Sequence, residues 1–255
     1  VRNTKEVKLS DDGKDLYRYA RQMIDLQKKI EERFETGKEE SKHLITIAAS
    51  TIPAQYILPK ILMKFNERYP KEQVKLLETD SSQVVTQIID HMVDVGFTGT
   101  VLEKKHCKYI PFYKDELVVI TPNTEKYQKL LEDMPDDISW IGGEHLIMRE
   151  EGSGTRKEAG KQLRAAGINL DKLKIIASIE NQETIKKSVK QGMGISVISR
   201  LAAEDEVKYG DLLAFSIPKA DQGRDINLVY NKNYQMSKST ERFVKIVKEV
   251  YGIEE

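Results

Sequence analysis

Apolar residues form a regular pattern at residues 44–77. Residues 44–49 are a short, β-branched apolar run, which predicts a buried strand. Ser50, Thr51 and Pro53 follow, and hydroxyls and proline are typical of the start of a helix. The next large apolar side chains repeat every four residues, as on one helix face: Ile57, Ile61 and Phe65. A second apolar run at 74–77 completes a predicted βαβ unit, whose first turn faces the edge of the sheet where small ligands bind.

The alternation of strand and helix patterns continues along the rest of the chain. A second βαβ series is predicted over residues 121–219, with a glycine- and hydroxyl-rich turn of its own at 152–155. A strand near 226–230 and an amphipathic helix at 239–251 follow. We therefore predict an α/β fold with two halves.

A different pattern precedes these units. Five apolar residues are spaced 3, 4, 3, 4 and form a heptad seam: Leu16, Tyr19, Met23, Leu26 and Ile30. The other faces of this predicted helix are almost entirely charged or polar. So narrow a stripe favours pairing with a second helix, such as the same helix of a twin subunit. The alternative is that the helix packs along its own domain. The run at 35–41 ends the helix and serves as a linker.

The candidate ligand-binding residues are small hydroxyls at predicted turns. They are Ser50, Thr51, Ser82, Thr100, Ser153 and Thr155. A helix N-terminus offers unpaired N–H donors and a partial positive charge, which suit a carboxylate or another oxyanion. Taken singly, each residue is better explained as an ordinary helix cap, and it is the recurrence of such turns at strand ends in both halves that makes a ligand in a cleft an equally good explanation. Arg149 and Arg156 either add positive charge to such a site or pair with the neighbouring Glu150 and Glu151.

Composition narrows the range of functions. The 255 residues carry 41 basic and 41 acidic side chains, so there is no overall charge for attracting nucleic acid or an anionic membrane. A single cysteine, Cys107, excludes an intrachain disulfide and favours a cytoplasmic setting. No apolar run is long enough for a membrane span. The chain does not begin with methionine, so we expect it to be a fragment of a longer protein.

Catalytic, metal and cofactor motifs are absent from the sequence. It contains neither a phosphate-binding loop nor a nucleophile elbow, and Gly192-Met193-Gly194 lacks the third glycine of a dinucleotide fingerprint. The four histidines do not have the spacing of zinc ligands. We predict no catalytic residues, no metal and no cofactor, and therefore no enzyme.

In order and spacing, these segments resemble the LysR-type transcriptional regulators. Residues 7–14, VKLSDDGK, look like the end of the family's wing and the start of its linker helix, with Ser10 in place of the usual threonine. Residues 44–59, 93–96 and 189–195 resemble successive segments of its effector-binding domain, and the loop REEGSGTR at 149–156 resembles one found in several branches.

The resemblance implies two Rossmann-like subdomains of periplasmic-binding-protein type II architecture. It assigns 1–9 to the end of a winged helix-turn-helix and 10–43 to a dimerisation helix and linker. Subdomain I would be 44–120 with 220–255, and subdomain II would be 121–219. The six hydroxyl residues would then bind a small-molecule effector in the cleft between the subdomains.

The same resemblance implies the partners. The expected assembly is a homodimer or homotetramer with no membrane partner. Promoter DNA would be contacted through an N-terminal domain that this sequence mostly lacks. A ligand preferring one cleft or dimer arrangement would shift the population of states, and the linker helices would transmit that shift.

Two other functions fit a two-lobed cleft. A transport-type solute-binding protein for a small anion or amino acid would need a secretion signal or lipid anchor, and would not need a heptad helix. An enzyme of the same fold would need converging titratable groups, whereas these turns supply mostly hydroxyls.

Overall fold

The computed structural model describes residues 2–3, 6–7, 10–34, 44–133, 137–218 and 223–253. Two short strands, β1 (Arg2–Asn3) and β2 (Glu6–Val7), form an antiparallel pair. The long helix α1 (Asp11–Phe34) follows. Its five seam residues are exposed, each with 51–71% of its surface accessible. The predicted linker at 35–41 lies outside the described residues.

The first sheet has the strand order β4-β3-β5-β12-β6. Its strands are β3 (Leu44–Ser50), β4 (Gln73–Thr79), β5 (Val95–Thr98), β6 (Cys107–Asp115) and β12 (Arg224–Asn231). Strands β4, β3 and β5 run parallel, and β12 is antiparallel to both of its neighbours. The β-branched run that predicted β3 is an interior strand of this sheet, with Ile45 and Ile47 almost fully buried.

Helices cover the first sheet. They are α2 (Leu58–Arg68), α3 (Ser81–Ile89) and α8 (Lys238–Tyr251). A π-helical turn at Pro53–Ile57 leads directly into α2. The predicted four-residue repeat is the buried face of the first of these segments, since Ile57, Ile61 and Phe65 are each at most 2% exposed.

The second sheet has the strand order β11-β7-β10-β8-β9. Its strands are β7 (Leu117–Pro122), β8 (His145–Met148), β9 (Lys174–Ser178), β10 (Ile195–Ser199) and β11 (Leu212–Ser216). Its helices are α4 (Glu125–Asp133), α5 (Gly154–Ala165), α6 (Gln182–Lys190) and α7 (Arg200–Lys208), with 3₁₀ turns at Ser139–Gly143 and Leu170–Lys172. None of the helices in the described ranges is long and apolar enough to cross a membrane.

The chain passes between the sheets twice, once between β6 and β7 and once between β11 and β12. The expected limit between residues 120 and 121 falls inside β7. That strand pairs along its length with β10 and β11, so residues 117–120 are in the second sheet and not in the first. All six positions of β7 are buried, as expected of an interior strand. The other subdomain bounds stay predictions.

Candidate functional site

The carboxyl ends of strands from both sheets meet at a small cleft. Three helical segments begin there, at Thr51, Ser81 and Gly154. The residues that line the cleft are Ser50, Thr51, Ile52, Asp80, Ser81, Arg149, Ser153, Gly154, Thr155 and Arg224. Its cavity volume is about 10 Å³, roughly the space of one water-sized group, so the two sheets are closed on each other here.

Four of the six predicted effector-binding residues line this cavity, namely Ser50, Thr51, Ser153 and Thr155. Thr100 is buried behind the lining, where its Oγ1 donates a 2.6 Å hydrogen bond to Glu158 Oε1. Ser82 is exposed beside the cavity, and its Oγ donates to the carbonyl of Gly152 at 3.4 Å. Binding of an effector by any of the six stays a prediction.

The first wall of the cavity belongs to the first sheet. Ser50 ends β3 and, like Thr51, is half-buried. Asp80 caps α3, because its Oδ1 accepts hydrogen bonds from the backbone N–H of Ser82 at 2.7 Å and of Gln83 at 2.9 Å. Ser81 is fully buried, and its Oγ has no hydrogen-bond partner within the described part of the chain.

The second wall comes from the loop between β8 and α5. Ser153 caps α5 by accepting a hydrogen bond from the Arg156 N–H at 3.3 Å. The Arg156 guanidinium turns back and donates to the carbonyl of Arg149 at 3.0 Å. Gly154 is required by close packing, since a Cβ there would lie 2.6 Å from Ser81 Oγ and 3.2 Å from Thr100 Cγ2. The two walls therefore touch at this glycine.

Arg149 connects the two walls. It is 5% exposed and pairs bidentately with Glu150, through Nε and Nη2 at 2.8 Å each. The same Nη2 donates to Thr51 Oγ1 at 3.3 Å, across the cleft. Of the two roles considered for this arginine from sequence, the structure shows the pairing with a carboxylate, together with a contact to a predicted site residue.

A second buried arginine makes the opposite crossing. Arg224, at the start of β12, pairs with Asp115 through Nε at 2.8 Å and Nη2 at 2.7 Å. Its Nη1 donates to Thr155 Oγ1 at 2.9 Å. Asp115 also accepts a hydrogen bond from Ser199 Oγ. These groups hold the end of β6, the start of β12 and the start of α5 together.

Sequence reasoning did not select Arg224 or Asp80 as residues of the site. Arg224 precedes an apolar run, like many surface residues that flank strands, and its role depends on Asp115, which is 109 positions away. The signal at Asp80 was stronger, because Asp-Ser-Ser before an apolar helical repeat marks a helix start. Among the described residues no three histidine, cysteine or acidic side chains cluster as metal ligands do.

Comparison with known proteins identifies the family of this chain. The family model described as the LysR substrate binding domain matches residues 38–252. The uncharacterized HTH-type transcriptional regulator YeiE of Escherichia coli is 28% identical over 240 residues, which are 94% of this chain and 78% of YeiE.

Two similar solved structures have small molecules bound. The effector-binding domain of QuiR in complex with shikimate has a TM-score of 0.73 and 16% identity, over 83% of this chain and 98% of that one. The regulatory domain of Synechocystis CcmR in complex with 2-PG has a TM-score of 0.72 and 24% identity, with the same coverage. Both likenesses confirm the expected fold, two Rossmann-like subdomains of periplasmic-binding-protein type II architecture.

Proposed function

This chain belongs to the LysR family of transcriptional regulators and is the effector-sensing part of such a regulator, and on that premise we propose that a small anionic effector binds in the cleft described above. Its proposed contacts are the hydroxyls of Ser50, Thr51, Ser153 and Thr155, with the N-terminus of α5 behind the last two. Thr100 and Ser82 lie just behind and beside this group. Relatives of the same fold that were solved with shikimate or 2-PG support a small-molecule ligand.

The hydrogen bond from Arg149 to Thr51 is the single observation that carries this proposal. It joins the end of β8 in one sheet to the helix start after β3 in the other, at the predicted site. An effector that accepts hydrogen bonds from Thr51 and Thr155 together would contact both sheets. It would bind an arrangement in which both walls reach it more tightly than one in which they lie far apart, and this difference in affinity would shift the population.

We propose that α1 passes this shift to the rest of the regulator. Its exposed seam of Leu16, Tyr19, Met23, Leu26 and Ile30 would pair with the same seam of a second chain. The proposed assembly is a homodimer or a homotetramer. Promoter DNA would be contacted by a helix-turn-helix domain of the whole regulator, in the cytoplasm.

A binding role, and not a catalytic one, fits the lining of the cavity. Its polar side chains are hydroxyls, two arginines that already pair with carboxylates, and one aspartate that caps a helix. Neither histidine nor cysteine is among the residues that line it. A solute-binding protein of a transport system is disfavoured by the family match.

A thermal-shift screen of the whole chain against small carboxylates, inorganic oxyanions, amino acids and aromatic acids tests the proposal. A ligand present at 100 times its dissociation constant stabilises the fold by about 2.7 kcal/mol, which gives a measurable rise in melting temperature. We expect a hit that Thr51→Val abolishes, while the melting temperature of the unliganded variant stays within a few degrees, because Arg149 keeps its pairing with Glu150.

The control is Thr86→Val, which removes an exposed hydroxyl of α3 whose only hydrogen bond among the described residues is to the carbonyl of Ser82 in the same helix. A hit that both variants retain would place the effector elsewhere. A Thr51→Val variant that no longer folds would mean that this threonine is a structural cap, and Ser50→Ala would then be the variant that tests binding.

A further inference from the structure

The hydroxyls of the cleft are held as hydrogen-bond donors. Thr51 Oγ1 accepts from Arg149, Thr155 Oγ1 accepts from Arg224, and Ser153 Oγ accepts from a backbone N–H. A hydroxyl that already accepts a hydrogen bond from the protein still has its own proton to give. The three protons are therefore available to a ligand with acceptor oxygens.

Ser81 is independent evidence for a ligand. Its side chain is completely buried and lines the cavity, yet its Oγ has no hydrogen-bond partner among the described residues. A buried hydroxyl without a partner costs folding free energy, so such a group points to an absent acceptor. It lies at the first position of α3, where the helix dipole also favours an anion.

The charges of the lining limit the kind of anion. Each arginine is already paired with its own carboxylate, Arg149 with Glu150 and Arg224 with Asp115. The lining also contains the carboxylate of Asp80. Asp80 Oδ1 is occupied by two backbone N–H groups, whereas its Oδ2 accepts no hydrogen bond from the described residues. An ion with acceptor oxygens only would meet the like charge of this carboxylate without compensation.

Resting on the proposed function, we infer that the effector of this cleft is an oxyanion that carries an O–H group of its own. Its acidic oxygens accept from the hydroxyls of Thr51, Ser81 and Thr155, and its O–H donates to Asp80. Hydroxy carboxylates and hydrogen phosphates share this chemistry. Asp80 is then the residue that sets specificity, because it rejects anions of similar size that have no proton to donate.

Two pairs of probes test the inference on the whole chain by calorimetric titration at pH 7. Glycolate and acetate are carboxylates that differ by one hydroxyl, and inorganic phosphate and sulfate are tetrahedral anions of which only phosphate carries a proton. We expect glycolate to bind more tightly than acetate, or phosphate more tightly than sulfate, by roughly tenfold or more in the dissociation constant. That is the effect of one hydrogen bond to a charged group. The pair that shows the preference identifies the kind of acid.

Asp80→Asn is the matching variant, because asparagine caps a helix as well as aspartate does but has no charge. We expect it to reduce the preference to less than about threefold, since the like-charge penalty is removed. Asp90→Asn, which makes the same charge change at the other end of α3, should leave the preference as it is.

Equal binding within both pairs, or an unchanged preference in Asp80→Asn, would overturn the inference. In either case the proposed function would stand, provided that the bound probes are lost in Thr51→Val. Failure of all four probes to bind would also overturn the inference, and the wider screen would decide the proposed function separately. The two pairs compare probes on the unmodified chain, so they remain decisive even if Asp80→Asn does not fold.

Discussion

Arg224 Nη1 donates a 2.9 Å hydrogen bond to Thr155 Oγ1, although Arg224 lies in the first sheet and Thr155 in helix α5 beside the second. Arg224 is itself held by the carboxylate of Asp115, and both side chains are almost completely buried. The charge pair thus lies under the cleft and fixes the position of a predicted effector-binding hydroxyl. Arg224 therefore contributes to the stability of the fold and also positions a residue of the proposed binding site.

Breaking this pair should cost much more stability than removing it whole. Arg224→Met leaves the buried carboxylate of Asp115 without its cation, so we expect a loss of about 3–5 kcal/mol in the free energy of unfolding. The double variant Asp115→Asn with Arg224→Met removes both charges of this pair and should recover part of that loss. Urea unfolding measures both, and a loss of under about 1 kcal/mol in the single variant would show that the pair is solvated.

Gly194 should not tolerate a side chain. A Cβ at this position would lie well inside van der Waals distance of the carbonyl oxygen of His145, and backbone cannot move aside as a side chain end can. We expect Gly194→Ala to destabilise the fold by about 1–3 kcal/mol in urea unfolding. Gly143→Ala is the control, because a Cβ there meets nothing within 4 Å. An equal effect of both substitutions would mean that the cost comes from the loss of glycine and not from the contact.

The thiol of Cys107 should be unreactive in the folded protein. Burial, helped by the nearby carboxylate of Glu103, raises the pKa of Cys107 to about 11. At pH 8 roughly one thiol in a thousand is then ionised, against roughly one in four in the unfolded chain, and only the thiolate reacts. A chromogenic disulfide reagent should therefore react quickly in urea and very slowly without it. Equal rates would show that the start of β6 opens readily, and Cys107→Ser provides the blank.

The seam of α1 should control self-association. Met23→Glu places a charge in the middle of a stripe that is exposed in the single chain, so we expect sedimentation equilibrium to show a weaker dimer, by about tenfold or more in the dissociation constant. Lys14→Ala is the control, because it changes the net charge by the same single unit on the opposite side of the helix. A dimer that survives Met23→Glu unchanged would place the interface on another surface.

The sequence by itself determined the local structure and the class of the protein. Spacing predicted β3, the four-residue repeat through Phe65 and the heptad seam of α1. A helix or strand with one apolar face places its apolar residues along the chain at its own structural period. The cap at Ser153 was likewise predicted, since its partner is three residues away. The order of these segments indicated the family.

Only the tertiary structure decided which of these parts meet. Strand β7 was assigned to the first sheet as far as residue 120, because nothing in an apolar run tells which strands will pair with it. Arg224 pairs with Asp115, 109 positions away, and donates to Thr155, 69 positions away. The sequence also does not show that the Ser81 hydroxyl is buried without a hydrogen-bond partner among the described residues, because that depends on its surroundings in the fold. Periodicity depends on residues that are close along the chain. A binding cleft is made of groups that are far apart along the chain and that folding brings into contact, so a local sequence pattern does not show which of them will meet.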